Sequence, residues 1–245
     1  MIAQASVTSL AATWRQGRRA ASRGLICGYV DSYTLLTFGV YTSFMSGNTI
    51  STGMNGGQAK YVPASHALLP IPFFVLGAFC GFLIQKNKNT KENSRVSMCV
   101  AALLFSGVAA ALGGASTSVC VMILSCGMGM MNTTLSHIGG QPVNLGFVTG
   151  DLKSIGEHIA NLVNRSPVTK PEGRWDTHWL RLATLGSVWT SFLVGAVGGA
   201  AMATRVHAWT LLLPALFLVF LVLTEFPDEV SKVQPGATLD SPIEN

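Results

Sequence analysis

Six apolar runs divide the chain. They occupy about 24–44, 63–84, 96–112, 118–135, 182–203 and 206–224, each close to the ~20 residues that an α-helix needs to cross a bilayer. No Lys or Arg falls inside any run, and the only carboxylate inside is Asp31. Soluble helices carry polar stripes at helical spacing, and these runs mostly lack them. The pattern predicts an all-α, polytopic membrane protein with six transmembrane helices. Runs three and four are parted only by Gly113–Thr117, so one span more or fewer is the neighbouring expectation.

Three segments follow. Residues 1–22 form a cytoplasmic N-terminal segment, 23–226 a membrane domain, and 227–245 a polar tail with three prolines that is expected to be flexible. No long apolar stretch with a small-residue cleavage site precedes the arginines at 15, 18 and 19, so no signal peptide is expected.

Charge strengthens this picture. Only 11% of residues are charged and mean hydropathy is +0.44, against about 25% charged residues in soluble domains. With both ends placed inside, fourteen of the sixteen Lys and Arg residues fall on the inner side, leaving Lys60 and Arg205 outside. That asymmetry predicts an N-in, C-in topology. The net charge of +5 then reflects topology, with the lipid bilayer as the partner and no nucleic acid.

An internal repeat underlies the six runs. Phe44-Met45-Ser46-Gly47-Asn48-Thr49 follows one apolar run and Phe147-Val148-Thr149-Gly150-Asp151-Leu152 another. Gly28-Tyr29-Val30-Asp31 overlays Gly129-Met130-Met131-Asn132. Phe74, Gly77 and Gly81 overlay Phe192, Gly195 and Gly199. Chance matching of glycine-rich helices is the competing explanation. Three spans per half, about 23–112 and 118–224, is an odd number, so the expected arrangement is a 3+3 inverted repeat. The GxxxG pairs Gly77/Gly81 and Gly195/Gly199 are expected to pack the second and fifth spans against each other, or against a second subunit of a homo-oligomer. Pro70, Pro72 and Pro214 are expected to bend or open their helices.

Taken in order, Gly28-Tyr29-Val30-Asp31, Phe44-Met45-Ser46-Gly47-Asn48, Gly127-x-Gly129-x-x-Asn132 and Val148-Thr149-Gly150 resemble the YoaK family of bacterial inner-membrane proteins. The resemblance covers roughly 22–224. Met131 departs from a Gln often found before the Asn, and Asp151 from a more usual neutral residue. The resemblance implies an integral membrane protein loosely described as a small-molecule transporter, without a substrate.

Asp31 carries the chemical argument. An ionisable group at that depth costs a few kcal/mol and usually faces an interior or a wet cavity. The coupling reading makes it a proton- or cation-binding residue facing Asn132; the alternative is an acid that only locks the first and fourth spans together. Hydroxyl, glycine and Asn/Asp residues suit a helix break, and paired breaks suit a central site. Ser46, Gly47, Asn48, Thr49, Thr149, Gly150 and Asp151 join Asp31 and Asn132 as candidate substrate or ion ligands, with plain helix recapping as the alternative. His66 and His137 read as local hydrogen-bond partners, while His158 and His178 fall in the cytoplasmic loop. Trp175, Trp179, Trp189 and Trp209 suit interfaces. Residues 153–164, with Ile155, Ile159, Leu162 and Val163 at helical spacing, form an amphipathic segment suited to the inner surface.

Cys27, Cys80, Cys99, Cys120 and Cys126 form no CxxC pair, so no metal or disulfide framework is expected. No HExxH, GxSxG or P-loop motif is present, and neither enzymatic activity nor a cofactor is expected. The leading expectation is a secondary transporter of a small polar solute, coupled through Asp31. A passive channel and a non-transporting scaffold or regulator are the alternatives.

Overall fold

The computed structural model describes residues 10–85, 91–134, 137–138, 141–142 and 148–230. These residues are helical apart from turns and one two-residue antiparallel pair, β1 (His137–Ile138) with β2 (Gln141–Pro142). The helices are α1 (Leu10–Phe38), α2 (Met45–Gly57), α3 (Tyr61–Leu68), α4 (Pro70–Ile84) and α5 (Lys91–Leu112). They continue with α6 (Thr117–Asn132), α7 (Val148–Val163), α8 (His178–Val206) and α9 (Leu212–Val230). A 3-10 turn, His207–Leu211, joins α8 to α9.

Several helix limits differ from the sequence expectation. α1 reaches back to Leu10 through Arg15, Arg18, Arg19 and Arg23, because helix formation needs no apolar environment where a long helix is already nucleated. It stops at Phe38, short of the expected end near 44. Gly39, in a left-handed conformation (φ +73°), donates its N–H to the Leu35 carbonyl at 2.9 Å and closes the helix end. Leu69 keeps helical angles between α3 and α4, so Pro70 removes a hydrogen bond without turning the chain. Pro214 sits in the first turn of α9, where no intrahelical N–H is needed. The chain turns instead at 207–211. α7 begins at Val148 and contains most of the expected amphipathic segment. Of the expected tail, 227–230 lie in α9, and 231–245 lie outside the described residues.

Three helical stretches among the described residues are long and apolar enough to cross a membrane. They are Tyr61–Ile84, Asn93–Leu112 and the 47-residue His178–Thr224; Thr117–Asn132 is a shorter apolar helix. The outer faces are apolar too. Val75, Leu76, Phe79, Phe82 and Leu83 of α4, and Leu213, Leu216, Phe220 and Leu223 of α9, are exposed, an amount of contiguous apolar surface that lipid, not water, would cover.

Glycines set the packing. A Cβ on Gly28 would strike the Phe192 carbonyl, one on Gly195 the Leu25 carbonyl, and one on Gly199 the Tyr29 carbonyl. These contacts bring α1 and α8 together backbone to backbone. The same happens between α4 and α6, where Gly129 meets Phe74, Gly77 meets Cys126, and Gly81 meets Met130 and Thr133. The GxxxG faces of α4 and α8 therefore do not pack against each other, as the sequence suggested. Each takes a glycine-bearing partner from elsewhere in the chain. Contacts advance together by one turn on both helices, from Leu25–Gly195 to Tyr29–Gly199 and from Cys126–Gly77 to Met130–Gly81. α1 and α8 thus run parallel, and so do α4 and α6.

The seam makes a direct prediction. Gly28→Val or Gly195→Val should lower stability in detergent by roughly 1–3 kcal/mol or more, the cost of overpacking a close contact. Gly53→Ala in α2, with nothing near its missing Cβ, should be neutral or stabilising by up to about 1 kcal/mol. Thermal unfolding of the three variants measures the difference.

Candidate functional site

Asp31 lies one turn beyond Gly28 on α1 and is 3% exposed. Its neighbours come from the loop that α1's early stop creates. Oδ1 accepts from the Thr42 N–H (2.8 Å), the Thr42 hydroxyl (3.1 Å) and the Ser43 N–H (2.7 Å); Oδ2 accepts from the Ser43 hydroxyl at 2.5 Å. A carboxylate satisfied by two backbone and two hydroxyl donors is an anchor for the loop 39–44. Asn48, buried in α2, holds the same loop from the other side. Its Nδ2 donates to the Tyr41 carbonyl (2.7 Å) and its Oδ1 accepts from the Tyr41 N–H (3.0 Å). His66 of α3 bonds the Phe38 carbonyl at 2.8 Å, which covers the exposed end of α1.

Both glycine motifs fall where a helix starts. Met45 and Val148, at matching motif positions, are the first residues of α2 and α7. Ahead of the first motif the chain leaves helix at 39–44, where Asp31 accepts from Thr42 and Ser43. Gly47 is required for packing: a Cβ would overlap the rings of Phe44 and Tyr41, which meet edge to face at 5.2 Å. Ser46 is half-buried beside them. Thr49 is exposed and bonds back to the Met45 carbonyl. In α7, Thr149 is exposed, Gly150 half-buried and Asp151 buried.

A cavity of about 440 Å³ opens against Asp31. Ser32 of α1, Tyr41 and Phe44 of the loop, Thr149 of α7, and Trp189 and Phe192 of α8 supply much of its wall. The first motif, the second motif and the buried acid therefore meet at one cavity. Asn132 is not part of that wall. Its Nδ2 donates to the Met128 carbonyl one turn back (2.9 Å), and none of the bonds given for Asp31 reaches it. Trp189, expected at an interface, lines the cavity instead. Its position on α8 is fixed by the glycine seam, a non-local contact that sequence spacing does not reveal.

A second polar cluster joins α7 to the start of α8. His158 and His178 are both buried, with Nδ1 atoms 3.1 Å apart. Burial, with the Arg181 guanidinium beside it, holds His158 below the ordinary histidine range. Burial raises the neighbouring Asp176, but bidentate bonds from Arg181 at 2.9 and 2.7 Å outweigh it and leave that carboxyl low. Both groups are depressed in the folded protein. Their contribution to stability is therefore complete above the unfolded values, about 6.5 for His158 and 3.9 for Asp176, and is lost as pH falls through the folded values.

A helical chain with lipid-facing apolar surfaces, close-packed glycine seams and a cavity beside a buried acid is an integral membrane protein of the all-α class. The chain belongs to the DUF1275 family, described as proteins of unknown function, whose family model matches residues 21–224. It is also similar to the UPF0700 transmembrane protein RA0705 of Rhizobium meliloti (strain 1021), with 27% identity over 211 residues covering 84% of each chain. No solved structure matches.

The loop anchor is testable by itself. Asp31→Ala leaves the Thr42 and Ser43 N–H groups without their acceptor and should cost roughly 1–3 kcal/mol. Asp31→Asn keeps an acceptor oxygen and should cost less than half as much in the same thermal unfolding measurement.

Proposed function

We propose that this protein is a secondary transporter of the inner membrane, with six spans in N-in, C-in topology, that carries a small molecule through the cavity beside Asp31. The observation that carries the reading is the meeting of both glycine motifs and the buried acid at that one cavity. Paired helix starts around a shared site are how repeat-built carriers place their ligands.

The glycine contacts support the inverted repeat. Under the sequence overlay, Gly28 matches Gly129, Phe192 matches Phe74, Gly195 matches Gly77, and Gly199 matches Gly81. The contacts of Gly28, Gly195 and Gly199 between α1 and α8 thus have their counterparts between α6 and α4. Each seam joins one helix from each half. The parallel pairing also fits six alternating spans, in which the first and fifth cross in one direction and the second and fourth in the other. The YoaK-like motifs fall on these same residues.

The wall narrows the cargo. Four aromatics, Tyr41, Phe44, Trp189 and Phe192, with Leu35 and Leu193 make it largely apolar, and Asp31, Ser32 and Thr149 add a few polar groups. Such a wall suits a small molecule with an apolar body and a polar head, rather than the wholly polar solute expected from the acid alone. Coupling follows from the anchor. Protonating Asp31 removes the charge that holds Thr42 and Ser43, and these residues sit between the two loop aromatics of the wall. No catalytic step is part of this reading.

Proteoliposome uptake tests it, with a pH gradient and a panel of small amines and alcohols on aromatic or aliphatic bodies. Wild-type protein should accumulate at least one member saturably, and Asp31→Asn should abolish the dependence on the gradient. Unchanged pH-dependent uptake in Asp31→Asn removes the coupling role. Uptake no greater than in protein-free vesicles across the panel removes the carrier.

A further inference from the structure

We propose that His158 and His178 form a one-proton site that clamps α7 to α8 and opens when a second proton arrives. The two rings sit in a hydrogen-bonded chain whose direction is fixed at one end. His178 Nε2 lies 3.1 Å from the Ser166 carbonyl, an acceptor only, so that nitrogen carries the proton. In the neutral ring Nδ1 is then bare. It accepts from His158 Nδ1 at 3.1 Å, so His158 is protonated on Nδ1 and bare on Nε2. That last nitrogen accepts from Gln141 Nε2 at 3.0 Å. Every ring nitrogen in the row is satisfied with both rings neutral.

A first added proton fits without loss. It lands on His158 Nε2, and the Gln141 amide turns over to present its oxygen. A second proton does not fit, because two Nδ1–H groups would then face each other at 3.1 Å. Separating the rings is the only relief. The surrounding charges do not offset this. Arg181 disfavours a proton on His158, and Asp176, which favours it, is already held by that guanidinium. Glu157 on α7 favours protonation but is exposed and therefore screened.

The clamp reaches the cavity. His158 lies on the helix whose first turn carries Thr149, and His178 opens the helix that carries Trp189 and Phe192. Releasing the clamp frees two walls of the cavity from each other. That consequence rests on the carrier reading; the proton count does not.

Nitrogen NMR of ¹⁵N-histidine-labelled full-length protein in nanodiscs tests the site, with His158→Asn and His178→Asn used for assignment. At neutral pH, His158 should be protonated on Nδ1 and His178 on Nε2. Acidification should add one proton to the pair with α7 amides still protected from exchange, and a second only together with loss of that protection. Gln141→Leu, which cannot accept from a protonated Nε2, should lower affinity for the first proton roughly tenfold. Reversed tautomers, two protons taken up over one range with α7 still protected, or an unchanged Gln141→Leu titration each overturn the proposal. If the titration holds while no cargo is taken up, the site stands and the carrier reading alone fails.

Discussion

The contact between the backbones of α1 and α8 sets the geometry of everything else. With no side chain at Gly28, Gly195 or Gly199, carbonyl oxygens of each helix lie against the other's Cα atoms. Gly28, Phe192 and Ala196 belong both to this seam and to the cavity wall, so packing and site cannot be separated. One turn past Gly28, Asp31 is held by the returning chain at the edge of that cavity. Its donors, Thr42 and Ser43, are set between Tyr41 and Phe44. The position of two wall aromatics therefore depends on the Asp31 carboxylate together with the Asn48 amide, which holds Tyr41.

Asp31 shows why the locking and coupling readings of a buried acid are not exclusive. Its bonds are those of a structural anchor, all within a loop twelve residues away or less. An anchor built on charge-assisted bonds is stronger with the carboxylate ionised than with it neutral. The bond that stabilises the loop is thus also one that a proton can weaken. In the His158–His178 pair the same principle acts between α7 and α8, with a bond between imidazole rings in place of an anion.

The periodic and compositional features were legible in the sequence, and contacts between distant segments were not. Apolar runs located the helical stretches, since bilayer thickness fixes their length. The glycine overlay carried enough information to match Gly28 with Gly129 and Gly195 with Gly77. It did not say which helix each face would meet, because a GxxxG face accepts any backbone that comes close. The loop at 39–44 read as helix because Gly39, Val40 and Tyr41 continue an apolar run; its stop depends on Asp31 bonding forward to Thr42 and Ser43. The histidine pair was invisible because His158 and His178 are twenty residues apart and meet only when α7 folds onto α8. Asn132 does not bond Asp31; its Nδ2 donates to the Met128 carbonyl within its own helix.

Two-sided accessibility of the cavity tests the central claim most directly. Ser32→Cys, placed in a background lacking the five native cysteines and reconstituted in vesicles of known orientation, is exposed to a membrane-impermeant thiol reagent from one face at a time. A carrier with its site beside Asp31 predicts labelling from both faces, with pH raising one rate and lowering the other. Labelling from one face only, at a rate indifferent to pH, contradicts it.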